Sequence, residues 1–190
     1  MKDFYRNFLE SYKISISNII NKNKTYYSSR LTRFYIDYKS KKGVSNYIKK
    51  LKKIWDNRDV VIIEGEKSRL GIGNDLFNNT RSIKRIICPA YNAFDKYNTI
   101  INTVLKNVKK NQLILIALGP TATLLSYDLY KFGYQALDIG HIDIEYEWYI
   151  RKVKKKIKIE NKCVLEVSGN DSYGIIKDKS YYDEIIKRIY

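Results

Sequence analysis

The sequence predicts an α/β fold: a Rossmann-like, mostly parallel sheet flanked by helices, with an α-helical N-terminal arm. Two observations carry this prediction. Short apolar runs at 60–63, 83–88, 113–118 and 136–139 alternate with longer stretches whose apolar residues recur every three or four positions. Strands alternating with helices form parallel sheets joined by right-handed crossovers. The first run, Val60 to Ile63, is also unbroken and β-branched, as a strand buried on both faces requires.

Taken in order, residues 3–23 carry Phe4, Phe8, Tyr12, Ile16, Ile19 and Ile20 at helical spacing. Residues 25–38 show no period and read as loop or short elements. Gly43 breaks the chain, and Ser45 is the expected cap of a helix bearing Tyr47, Ile48, Leu51, Ile54 and Trp55. A short helix is expected at 74–79 and a long one at 94–108, the latter with Phe94, Tyr97, Ile100, Ile101, Val104, Leu105 and Val108 on one face. The next helix runs from Thr121 to Phe132 and ends at Gly133, in the C′ position that glycine favours. The last forty residues give a strand near 163–167, a Ser-Gly-Asn-Asp turn, and a helix over 180–189. One domain over 1–190 follows, with a helical arm at 1–56, an α/β core at 57–150 and a C-terminal strand and helix at 151–190.

Composition bounds the function. Hydrophobic residues make up 44% of 190, enough for a folded core and not a disordered tail. No apolar run approaches the roughly 20 residues of a membrane span, and Met1 to Glu10 lacks a signal-peptide apolar stretch. A cytoplasmic protein is expected, with contact at the inner face of the membrane and self-association as further expectations. The two cysteines, Cys88 and Cys163, lie far apart and outside any zinc or disulfide spacing. The net charge of +16 could be an electrostatic footprint for nucleic acid or anionic membrane. Lys, Asn, Ile and Tyr are all encoded by AT-rich codons, however, so genome composition accounts for much of the excess. The 18 tyrosines show no RNP-like motif, and no nucleic-acid partner is expected.

Three polar constellations stand at strand ends, where open α/β sheets bind ligands. After Val60–Ile63 come Glu64, Glu66, Ser68, Arg69, Asn74 and Asp75, punctuated by Gly65, Gly71 and Gly73, which let backbone approach a ligand closely. Leu118-Gly-Pro-Thr-Ala-Thr123 passes from strand to helix and offers free N–H groups at a helix start, near Thr121. It has neither the GxGxxG spacing nor the Walker Gly-Lys-Ser/Thr. Asp138-Ile-Gly-His-Ile-Asp-Ile-Glu-Tyr-Glu-Trp148 holds the one histidine, His141, and a D-x-E pair, Asp143 and Glu145. In an extended segment those two carboxylates point toward one hard cation.

Together these segments resemble the GT-D-fold glycosyltransferases. That family includes a glucosyltransferase extending the glycans of serine-rich bacterial adhesins. The resemblance rests on Glu64–Phe77, Ile87–Asp95, Leu118–Thr123 and Leu137–Trp148, and extends over most of the chain. It implies a GT-D-type fold and a metal-assisted transfer from a nucleotide sugar, typically UDP-glucose, with Mn2+ or Mg2+. The expected acceptor is a glycan or glycoprotein of the bacterial surface. By the same resemblance Asp143 and Glu145 hold the metal. Glu64, Glu66, Ser68, Arg69, Gly71, Gly73, Asn74, Thr121 and Asp138 form the donor site. Asp75, Glu145 and His141 are the catalytic candidates. Arg69 is expected to neutralise phosphate, Asn74 or Asp75 to touch sugar hydroxyls, and one carboxylate to act as base. Family members also carry an additional first strand and an Arg-x-Gly-Asp-Gly-Glu loop, and no Gly-Asp-Gly-Glu occurs in these 190 residues. The expectation is therefore a folded chain with low transfer activity on its own. The alternative is a non-catalytic homologue serving as a binding or partner subunit.

Overall fold

The computed structural model describes residues 2–25, 28, 30–164, 167, 174 and 178–190. Its centre is a five-stranded sheet made of β1 (Asp59–Gly65), β2 (Ser82–Cys88), β3 (Leu113–Ala117), β4 (Gln135–Asp138) and β5 (Ile185–Arg188). The order is β4-β3-β1-β2-β5, and every neighbouring pair is parallel. The chain moves outward from β1 to β2 on one side and from β3 to β4 on the other. The topological switch point, where such sheets bind ligands, therefore falls between the carboxyl ends of β1 and β3.

Both faces of the sheet are covered, which is why the strand runs are continuously apolar. Val61, Ile63, Ile114 and Ile116 pack on one face. They meet Ile100 and Val104 of α3 (Tyr97–Asn107) and Ala122, Leu125 and Leu129 of α4 (Pro120–Lys131). Val60, Ile62, Leu113 and Leu115 pack on the other. There they meet Ile48 and Leu51 of α2 (Val44–Lys52), Trp55, Leu70, Leu76 and Phe77, and Trp148 of α5 (Ile142–Ile150). Each such aliphatic side chain contributes about 1.5–3 kcal/mol on full burial. The N-terminal arm is α1 (Lys2–Ile19), and Gly133 follows α4 at φ +80°, as the sequence predicts.

Four local expectations are corrected. Residues 74–79 form successive turns, with Asn74 N–H donating to Gly71 O and Asn78 N–H to Asp75 O. The Asn74 side chain captures Leu76 N–H at 3.0 Å, the local competition by which Asn displaces helix. The residue preceding α2 is Gly43 at φ +87°, and Ser45 falls inside the first turn. The C-terminal helix is short, α6 (Lys179–Asp183), capped by Asp178. The β-branched Ile185-Ile186 pair then adds β5 to the edge of β2. Finally, the segment carrying Asp143 and Glu145 is not extended but helical, as α5. The strand expected at 163–167 falls partly on Leu165 and Glu166, outside the described residues, as does the turn at 168–171. Cys163, Val164 and Val167 are not in a strand.

The connection from β1 to β2 has two glycines with positive φ and unlike surroundings. Gly71 has φ +77°, and a Cβ there would lie 2.7 Å from Phe77 Cδ2. Gly73 has φ +78° with no atom within 4 Å of such a Cβ. Gly73→Ala is expected to cost about 1 kcal/mol of stability, the strain of a left-handed residue alone. Gly71→Ala is expected to cost about 3 kcal/mol, because displacement of Phe77 adds to that strain. Urea unfolding of the two variants checks the order, and equal losses would remove the packing argument.

Candidate functional site

Four strand ends form a row. The sequence runs Gly65-Glu66-Lys67-Ser68 beyond β1, Pro89-Ala90-Tyr91 beyond β2, Leu118-Gly119 beyond β3 and Ile139-Gly140-His141 beyond β4. At about 4.8 Å per strand the row spans roughly 15 Å. Backbone bonds lace its members together. Glu66 N–H donates to Cys88 O at 3.0 Å, and Ile139 N–H to Ile116 O at 2.9 Å. Gly65 has Ala90 Cα and Ser68 Oγ within 3.4 Å of where its Cβ would be. Asp138 joins two of the loops, accepting from Thr123 Oγ1 at 2.8 Å and from Gly140 N–H at 3.0 Å. Glu66 and Asp138 are exposed, Ser68 and His141 half-buried, and Thr121 buried under the start of α4. His141 immediately precedes α5, and its carbonyl accepts Glu145 N–H.

An ion-pair network surrounds Glu64, which the resemblance assigns to the donor site. Glu64 is fully buried. Its Oε1 is 2.7 Å from Arg85 Nη1, and its Oε2 accepts Leu70 N–H at 2.7 Å. Arg85 also donates to Leu70 O at 3.0 Å and to Glu184 Oε2 at 2.5 Å, and stands over the Tyr181 ring at 4.8 Å. Glu64 therefore fastens the loop after β1 instead of facing a ligand. Arg69 behaves similarly: its Nη1 donates to Asn161 O at 3.0 Å and Gly174 O at 2.9 Å. That engagement ties the loop to the C-terminal segment and does not set the guanidinium free for phosphate.

The acids of α5 divide between two sides of the helix. Residues two apart on a helix point about 200° from each other, whereas residues four apart differ by about 40°. Asp143 and Glu147 accordingly share a side. Asp143 accepts from Gly71 N–H at 2.9 Å and Asn74 Nδ2 at 2.8 Å, and pairs with buried Lys162 at 2.7 Å. Glu147 accepts from Asn74 at 2.7 Å, Lys162 at 3.1 Å and Arg151 at 3.1 Å. Burial opposes the Glu147 charge, but Lys162, Asn74 and Arg151 together hold its carboxyl below the usual range. Glu145 points elsewhere. Its Oε2 accepts Tyr35 N–H at 2.8 Å and Ile36 N–H at 3.0 Å, and burial raises its pKa. The expected Asp143–Glu145 metal pair does not form, because a spacing of two converges in a strand and diverges in a helix.

Asp75 lies between α2 and α5, away from the row. Tyr146 OH donates to its Oδ1 at 2.6 Å and Lys52 to its backbone O at 2.7 Å. The Tyr146 bond holds its carboxyl below the usual range. The structure thus gathers Glu66, Ser68, Thr121, Asp138 and His141 around the strand ends. It assigns Glu64, Arg69, Gly71, Asn74, Asp75, Asp143 and Glu145 to the scaffold below, while exposed Gly73 shapes a turn of that connection. Sequence reasoning missed Arg85, Glu147 and Lys162. Glu147 was legible as the residue four beyond Asp143, but nothing near Lys162 in sequence marks it out from the other lysines.

Lys162→Met removes the buried cation shared by Asp143 and Glu147, leaving Glu147 only the half-exposed Arg151, and is expected to destabilise by about 3–5 kcal/mol near neutral pH. The native Glu147 pKa is depressed, so its stabilisation is present above the unfolded value near 4.3 and lost as pH falls through the folded value. Without Lys162 the sign reverses, since burial then favours the protonated acids. The gap between native and variant should shrink as pH drops from 7.5 to 5 in urea titrations, and a constant gap would refute the pairing.

The Glycosyltransferase GT-D fold family matches residues 1–167. The chain is 41% identical over 188 residues to "Glycosyltransferase GlyD" of Streptococcus pneumoniae serotype 4, covering 99% of this chain and 22% of that protein. It is 44% identical over 164 residues to "Probable glycosyl transferase Gly" of Streptococcus gordonii, covering 86% of this chain and 24% of that protein. The chain thus spans less than a quarter of the curated relatives it matches. Among solved structures, one described as "A New Glycosyltransferase (DUF1792) from Streptococcus sanguinis" superposes with a TM-score of 0.91 at 40% identity. That match covers 98% of this chain and 69% of the other. A second, reported as a highly conserved domain with a distinct glycosyltransferase fold, gives 0.87 at 40% identity, covering 98% and 68%. The all-parallel sheet, its switch point and these matches agree, and the chain belongs to the GT-D fold glycosyltransferase family.

Proposed function

We propose that the chain is the donor-handling domain of a nucleotide-sugar-dependent glycosyltransferase, with UDP-glucose as donor and a bacterial surface glycan or glycoprotein as acceptor. The observation that carries this reading is the row of strand ends at the switch point, with Gly119 opening α4 beside exposed Asp138 and half-buried His141. The start of α4 suits the donor's diphosphate, because its first N–H groups are unpaired within the helix and the dipole favours an anion. Transfer forms a bond from an acceptor oxygen to the sugar's anomeric carbon and breaks the bond from that carbon to phosphate. The acceptor's proton goes to a base, and the electron pair leaves on the nucleoside diphosphate. His141, Glu66 and Asp138 are the side chains of the row that can take that proton.

A divalent cation, Mn2+ or Mg2+, belongs to the proposal as a companion of the diphosphate, with ligands drawn mainly from phosphate and water. Asp143 and Glu145 do not fit together as its holders. Asp143 is filled by Lys162, Asn74 and Gly71, whereas Glu145, on the other side of α5, gives Oε2 to Tyr35 and Ile36 N–H and keeps only a buried Oε1 without a hydrogen-bond partner among the described residues. That same commitment favours a second reading, a binding or partner subunit that holds the donor without transferring it.

Calorimetry tests both. UDP is expected to bind, more tightly with Mn2+ present, and Glu145→Gln is expected to leave the metal effect intact. Failure to bind UDP with or without metal would overturn the proposal. UDP binding without hydrolysis or transfer of UDP-glucose would select the partner-subunit reading.

A further inference from the structure

Two large aromatic side chains stand at the ligand edge with no role in the scaffold. Tyr91 and Phe94 are each 56% exposed, on the connection from β2 to α3. Its other side chain toward the sheet, Ala93, is buried, so the loop is anchored while the rings project. The loop is fixed in place: Asn92 takes φ +50°, and Ala90 lies hard against Gly65 of β1. Lys67, two residues past the end of β1, holds its ammonium over one face of the Tyr91 ring, 4.7 Å from the centroid, so a ligand would meet the opposite face. An aromatic face beside a cation matches a ligand that joins a planar base to an anionic phosphate. It matches an uncharged sugar less well.

Resting on the nucleotide-sugar reading above, we propose that the face of Tyr91 opposite Lys67 stacks on the nucleobase of the donor, with the Lys67 ammonium available to its phosphates. The spacing is consistent with this. The β3 end, where α4 begins, and the β2 end, which carries Tyr91, lie on either side of β1, so they are about 10 Å apart by strand spacing. A nucleotide whose diphosphate sits at α4 thus carries its base toward Tyr91. Phe94, packed on Tyr97 at 5.2 Å between ring centroids, walls the same end of the row.

The test pairs two ligands with four proteins, using the full 190-residue chain. UDP and inorganic pyrophosphate are titrated, each with Mg2+, into the native chain, Tyr91→Ala, Tyr91→Phe and Lys67→Gln. Tyr91→Ala is expected to weaken UDP about tenfold, within the range of base–aromatic stacking, and to leave pyrophosphate unchanged. Tyr91→Phe keeps the ring and should stay within about twofold of native for both ligands. Lys67→Gln should weaken both, since a cation acts on phosphate whatever base is attached. Equal losses for UDP and pyrophosphate in Tyr91→Ala, or no loss for either, would overturn this assignment alone. Absence of UDP binding by the native chain would overturn it together with the reading on which it rests.

Discussion

A parallel strand pair needs a connection that runs back along the whole sheet, and here the link between β1 and β2 makes that return without a helix. Residues 66–81 fold as consecutive turns, so they have no repeating hydrogen-bond ladder of their own to hold them. The load passes to side chains. Glu64 receives Leu70 N–H, Asp143 receives Gly71 N–H, Asn74 bridges Asp143 and Glu147, and Trp55 donates to Leu76 O at 3.1 Å. These carboxylates are buried, so each requires a cation, and Arg85 and Lys162 supply them. The scaffold of the site is therefore one ionic layer between the sheet and α5.

This layer explains why the acid-rich signature reads like a catalytic cluster in sequence. Charge, glycine and a preceding strand are what a ligand loop needs, and also what a helix-free return needs. The two differ in burial. Glu64 follows four fully buried valine and isoleucine residues and shares the buried face of Val60 and Ile62, whereas Glu66 turns out to solvent. Removing one partner of such a buried pair costs more than an exposed pair ever contributes, so this layer tolerates single substitutions poorly for reasons of architecture.

Four of the strands and their parallel direction were legible because continuous apolar runs such as Val60–Ile63 and Leu113–Ile116 suit a doubly covered sheet. Their ends were legible for the same reason, and with them which segments follow each strand. Individual side-chain roles were not. Asp143-Ile-Glu145 is compatible with strand and helix alike, and the choice depends on Trp148 and Tyr146 packing into the core beneath α5. Arg85 reads as a polar interruption of β2 until Glu64, Glu184 and Tyr181 are brought around it from distant parts of the chain. β5 was hidden by its length, since four residues at a sheet edge carry too little pattern to outweigh a helical one.

The buried pairs also settle an electrostatic difficulty. A diphosphate approaching a signature with this many acids would be repelled if all of them faced the switch point. Glu64 and Asp143 are instead screened from it by burial and matched by Arg85 and Lys162, leaving Glu66 and Asp138 as exposed acids of the row. Asp138 is itself engaged by Thr123 and by Gly140 N–H. The positive features at this edge are then the start of α4 and the ammonium of Lys67. The ionic layer and the strand-end row are thus one arrangement: pairing the buried acids with Arg85 and Lys162 leaves the row with fewer uncompensated negative charges than the sequence suggests.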